Sequence, residues 1–185
     1  MLAGFLIAIA AVVYLRVGAP LGAILFAVGL LAILEYKLPL FTGKAGLLGT
    51  EEIGIVELGK IWFMNFAGVF LTIFVLASLP LSVQESLRAK AGEIIEIRNS
   101  VGMLENVFLG IGCGFLMYLA VNSRSQVLTI LCVAAFILAG FNHCVADMAY
   151  MVIGAENLED WRSLIPTTIG NVIGANMIHL REETA

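Results

Sequence analysis

Six apolar runs follow one another along the chain, and they constrain its fold more than any other feature. They are Leu2 to Leu15, Leu21 to Leu34, Ile55 to Leu79, Val101 to Val121, Val127 to Ile153 and Leu164 to Ile178. A hydrocarbon layer about 30 Å thick is crossed by about 20 predominantly apolar residues in a helix. The first two runs are short for that, so neighbouring helices or a thin local bilayer must set their ends. With 61% hydrophobic and 13% charged residues, the chain lies far from a soluble domain, which is about 45–50% apolar and about 25% charged. Such an excess cannot be hidden in a core of this size, so lipid is the solvent. The expectation is an all-α membrane protein, a single transmembrane domain over residues 1–185. No basic residue precedes the first run, which therefore reads as a span and not as a cleaved leader.

Between the runs lie short polar segments. Arg16 and the cluster Gly18, Ala19 and Pro20 close the first run, and Glu35, Tyr36, Lys37 and Pro39 close the second. Glu51, Glu52, Glu156, Glu159 and Asp160 read as solvated loop charges, Gln84 to Arg98 as a charged helical extension outside the lipid, and His179 to Ala185 as a polar tail. The net charge of −4 gives no basic face for nucleic acid. Lysines and arginines divide nearly evenly between the two sides of a six-span topology, so charge leaves the orientation open. Cys113, Cys132 and Cys144 show neither CxxC nor metal-ligand spacing, and read as small buried thiols without a cofactor or metal.

The two halves of the chain rhyme. Leu40-Phe41-Thr42-Gly43 and then Asn65-Phe66-Ala67-Gly68 in the first are answered by Gly140-Phe141-Asn142-His143 and Asn171-Val172-Ile173-Gly174 in the second. Three spans in each half force the halves to cross the membrane in opposite senses, giving an inverted 3+3 repeat of about 1–80 and about 94–180. Helices 2 and 5 would be interrupted, the first by Pro39 and Gly43. Irregular backbone at membrane depth survives only when buried in protein or lining a wet cavity, and interrupted helices in matching positions point to a transport pathway. A kink between packed helices is the plainer alternative.

Ala139 to Met148 resembles the fifth-helix motif of the formate/nitrite transporter family, and Ile165 to Gly174 is similar to its sixth-helix motif. Leu40 to Gly43 resembles the family's omega-loop, Phe108 to Val121 its fourth helix, and Trp62 to Gly68 its third. The resemblance implies an aquaporin-like protomer of six helices, a homopentamer with one pore per protomer in a prokaryotic plasma membrane with both termini cytoplasmic, and passage of small monovalent anions or their acids with protons. It places His143 as the central pore histidine with Thr42 reaching it, and Asn171 as a polar residue near the pore. Phe26 and Phe136 would form one constriction, and Leu30, Leu40 and Phe41 the other. Arg98 falls where the family has an anion-attracting lysine, and Lys37 is a second cation. Gly114 stands at a pore asparagine position, Asp147 at another asparagine position, and Asn142 where an acidic or amide residue is usual, so these three are read as tuning selectivity.

The chemistry expected of these residues follows from desolvation. A bare anion in an apolar constriction loses its hydration at a cost of many kcal/mol, which a helix dipole, a fixed cation or a proton can offset. With an ordinary pKa of about 6.5, His143 is one candidate proton donor and bulk water is the other, and ionisable groups within a membrane default to function. Two other readings stand beside the anion channel: a pore for a neutral solute such as water, a polyol or ammonia, and a non-conducting subunit reusing the fold. Paired Asn-Pro-Ala motifs are missing, which counts against the aquaporin form of the first. No nucleophile–base pair is visible, so an enzyme is not expected.

Overall fold

Proline and glycine decide where the helices of this chain begin and stop. The computed structural model describes residues 1–49 and 52–177; Glu51, Ile178 and the charged tail fall outside them. Among the described residues the regular structure is helical, apart from an isolated bridge between Leu48 and Ile53. The helices are α1 (Leu2–Val17), α2 (Leu21–Glu35), α3 (Phe41–Lys44), α4 (Ile55–Phe70), α5 (Thr72–Ala77), α6 (Leu81–Ser100), α7 (Met103–Asn122), α8 (Gln126–Leu138), α9 (Cys144–Gly154) and α10 (Leu164–Asn176). Pro20 and Pro80 stand just before α2 and α6, and Pro166 lies in the first turn of α10, where a missing N–H leaves no helical bond unmade.

The second and fifth apolar runs are each divided. α2 stops at Glu35, Lys37 takes a positive φ of 51°, and α3 begins only after Pro39 and Leu40. α8 stops at Leu138, Gly140 takes a φ of 76°, and α9 begins at Cys144. The second break therefore covers residues 139 to 143. Asp147 lies beyond it, within α9 and one turn past His143. The third run is also stepped, at Leu71 between α4 and α5. Counted across that step, Ile55–Ala77 is long and apolar enough to cross a membrane, as is Met103–Asn122. The charged segment after Pro80 forms α6, and its Leu87, Ala91 and Ile95 make a buried stripe that packs on α9.

Close helix crossings at glycine hold the bundle together. A Cβ on Gly110 would lie 2.7 Å from the Thr167 carbonyl oxygen, one on Gly114 2.2 Å from that of Asn171, and one on Gly174 2.1 Å from that of Ile111. The α7–α10 crossing thus brings backbone against backbone, the approach that small residues permit inside membranes. The α1–α4 crossing repeats it: a Cβ on Gly4 would meet the Asn65 carbonyl oxygen at 1.9 Å, and one on Gly68 that of Met1 at 1.8 Å. Gly4 over Asn65 corresponds to Gly114 over Asn171.

Candidate functional site

Two asparagines tie down the two helix breaks. Asn65 of α4 accepts the Phe41 N–H at 2.8 Å and donates to the Pro39 carbonyl at 3.0 Å. Asn171 of α10 accepts the Cys144 N–H at 2.9 Å and donates to the carbonyls of Asn142 and Gly110 at 2.8 and 2.9 Å. Both are fully buried. Each asparagine supplies the donor and acceptor that irregular backbone lacks once its own helical bonds are gone. This pairing sets Phe41 opposite Cys144, and Leu40 opposite His143. The sequence rhyme had set Phe41 opposite Phe141.

His143 and Thr42 meet between the breaks. Thr42 Oγ1 and His143 Nε2 are 2.9 Å apart, both buried. His143 also caps α9, its Nδ1 accepting the Ala146 N–H at 3.1 Å. An accepting Nδ1 carries no proton, so the neutral ring bears its hydrogen on Nε2 and donates it to Thr42. The Phe136 ring stacks on the imidazole with centroids 5.6 Å apart, and Phe26 meets Phe136 edge-on at 6.3 Å. Histidine, hydroxyl and two phenyl rings thereby form one buried group joining α2, α3, α8 and the start of α9.

Small cavities lie at both breaks. One of about 160 Å³ is lined by Tyr14, Arg98, Phe136, His143, Asp147 and Tyr150 among others. A second, of about 110 Å³, is lined by Leu34, Leu40, Lys44, Tyr118, Val121 and others. In the first, Arg98 Nε lies 3.4 Å from Asp147 Oδ1, and its Nη1 donates to the Gly140 carbonyl at 3.1 Å. Asp147 Oδ2 is buried without a hydrogen-bond partner among the described residues. Behind this wall, Asn142 donates to Asn106 Oδ1 at 2.7 Å, and Asn106 donates in turn to the Arg98 and Gly102 carbonyls.

The residues singled out in the sequence thus separate into groups. His143, Thr42, Phe26 and Phe136 come together, and Leu30 and Leu40 are buried in the same core. Arg98 reaches the first cavity, already engaged by Asp147. Phe41 is buried but lines a lateral apolar groove between α4 and α10, along with Trp62, Ile165 and Val172. Lys37 is exposed and borders neither cavity. Asn171 directs both amide hydrogens and its carbonyl oxygen at backbone groups, and Gly114 packs against the Asn171 backbone, where a larger residue has no room. Asn142 faces Asn106 and not the first cavity.

Sequence reasoning passed over Asn106, Tyr14, Tyr150 and Lys44. An asparagine in an apolar run was the available signal for the first, and Lys44, one residue beyond the Leu40 to Gly43 motif, for the last. Nothing marked the tyrosines, whose place depends on how α1 and α9 pack. No group of three or more His, Cys, Asp or Glu side chains could hold a metal ion among the described residues.

Comparison with known proteins gives this geometry its context. The family model for formate/nitrite transporters matches residues 1–180. An uncharacterized transporter of Saccharomyces cerevisiae is 27% identical over 129 residues, 61% of this chain and 21% of that protein. The chain therefore spans about a fifth of the length of this relative. Among solved structures, a pentameric formate channel with formate bound superposes with a TM-score of 0.80 at 22% identity, covering 98% of this chain and 92% of that one. An ion channel of the same family gives a TM-score of 0.79 at 17% identity over 100% of this chain and 87% of the other.

Proposed function

The chain belongs to the formate/nitrite transporter family of integral membrane proteins, and on that premise we propose that it is a channel or permease for small monovalent anions, carried across its narrowest part as their conjugate acids. The observation that carries the reading is the Thr42–His143 hydrogen bond between the two helix breaks, flanked by phenyl rings and by a cavity at each break. The solved pentameric formate channel supports a homopentamer with one pathway in each protomer. The matching Asn65 and Asn171 anchors, and the matching glycine crossings, support an inverted 3+3 repeat whose second and fifth spans are interrupted. Exposed apolar side chains such as Phe63, Phe74, Phe108 and Leu131 supply surface for lipid and for neighbouring protomers.

Transport in this reading has three stages. Lys44 at one cavity raises the local anion concentration, and Arg98 at the other, paired with Asp147 at rest, offers its guanidinium to the arriving anion. The anion takes a proton from hydronium of the bulk solution, leaving water, because crossing Phe26 and Phe136 as an ion costs many kcal/mol of hydration and crossing as a neutral acid costs far less. His143 then offers its Nε2–H, and Thr42 its hydroxyl, to the passing acid. The imidazole cannot give up that hydrogen and remain neutral without first gaining one at Nδ1, where the Ala146 N–H already points. His143 therefore orients the acid by a hydrogen bond, and bulk water supplies the proton. Flux of formate into proteoliposomes, followed against external pH, tests this: influx should rise with the fraction of formic acid outside. A pH-independent formate current would contradict it.

A further inference from the structure

We propose that Asp147 is a built-in competitor for the substrate's place on Arg98, and that this competition makes the pathway favour planar anions with two acceptor oxygens. The inference rests on the anion-pathway reading above and deepens it at one cavity. Arg98 and Asp147 both line the cavity of about 160 Å³ that ends at His143. Their contact is a single one, Arg98 Nε to Asp147 Oδ1 at 3.4 Å. A guanidinium and a carboxylate built purely for strength form two parallel bonds of about 2.7–2.9 Å. Here Oδ2 is left without a partner although the side chain is only 1% exposed. A second contact, Nη1 to the Gly140 carbonyl, holds the guanidinium at the cavity wall independently of the carboxylate.

The pair is thus loosely made on the acid side and firmly held on the basic side. Asp147 cancels the charge of Arg98 until something else takes its place. An anion with two oxygens in one plane, such as formate, acetate or nitrite, matches the guanidinium fork and can displace a single long contact. Hydrosulfide offers one acceptor atom and competes poorly. Any small anion gains from loss of the Asp147 charge, and the single-acceptor anion gains most.

The test is flux into proteoliposomes as a function of formate or hydrosulfide concentration, for the wild type, Asp147→Asn, Arg98→Gln and the double variant. Asp147→Asn is expected to lower the half-saturation concentration for hydrosulfide by about tenfold and that for formate by about threefold, so the preference for formate shrinks. In the Arg98→Gln background the same change should do nothing, a result that a merely structural aspartate would not give. Half-saturation values that stay put or rise in Asp147→Asn, or a gain that persists without Arg98, would overturn the inference while leaving the anion pathway standing. A folded wild type that passes neither anion would remove both. Should Asp147→Asn fail to assemble, Asp147→Glu retains the charge on a longer arm and is expected to raise the half-saturation for hydrosulfide; an unchanged or lowered value overturns the competitor role.

Discussion

His143 serves as a helix cap as well as the partner of Thr42, and the two duties constrain each other. Its Nδ1 holds the Ala146 N–H, so a replacement must both cap α9 and donate toward Thr42. Asparagine keeps the cap, its carbonyl oxygen standing in for Nδ1, but its amide stops short of the place where Nε2 meets Thr42. His143→Asn should therefore lose about three- to tenfold in formate flux, the worth of the hydrogen bond at Nε2, and keep the whole of its pH dependence. His143→Phe should lose about three- to tenfold more flux, the worth of one hydrogen bond, with the pH slope unaltered. Initial rates in proteoliposomes at several pH values decide the matter; a slope that flattens in His143→Asn would mean that the ring itself hands over the proton. The histidine and its threonine partner were legible in the sequence because both sit in motifs. The engagement of Arg98 by Asp147 was not, because it joins α6 to α9 across 49 positions of chain, and a spacing rule within one helix sees only neighbours.

Helix breaks and crossings carry the next scale. Asn65 and Asn171 do equivalent work, each holding the backbone of one helix break. Loss of the Asn171 side chain would strand the Cys144 N–H and the Asn142 carbonyl, at about 1–3 kcal/mol for each group left unpaired. Asn171→Ala is thus expected to lower the thermal unfolding midpoint in detergent sharply and to abolish transport. A variant of normal stability with altered anion preference would return Asn171 to the pore. The α7–α10 crossing gives a second prediction. Gly114→Ala must push the helices apart, because its Cβ would lie 2.2 Å from the Asn171 carbonyl oxygen, and overpacking of this kind costs about 1–3 kcal/mol. Gly59→Ala, whose Cβ would meet nothing within 4 Å, should leave the unfolding midpoint unchanged. Equal midpoints for the two variants would contradict the packing role of Gly114. The spacing Gly110-x-x-x-Gly114 is the kind of sequence signal that close helix packing leaves; its repeat counterpart at Gly4 became visible only once α1 lay against α4.

At the scale of the whole molecule, apolar runs and ordered motifs were enough to read an all-helical membrane protein, and the family match over residues 1–180 agrees. Proline and glycine pointed to the first break, and the rhyme between the two halves pointed to the second. Their register stayed hidden, because Phe41 and Phe141 look alike in sequence while the asparagine anchors select Phe41 and Cys144. Assembly is a property of the surface, where exposed apolar residues on α4, α5, α7 and α8 await lipid or a neighbour. The mass of the purified protein in mild detergent should be that of five 19.8 kDa chains plus bound detergent; a stable monomer that still conducts would confine the pentamer to relatives. The most direct test of the central claim is stopped-flow flux into liposomes holding the purified protein, with formate, nitrite, hydrosulfide and acetate compared against glycerol at two pH values. Anion uptake that rises at the lower pH while glycerol stays outside is the predicted result. Glycerol uptake without anion uptake, or silence across the panel from folded protein, would contradict it.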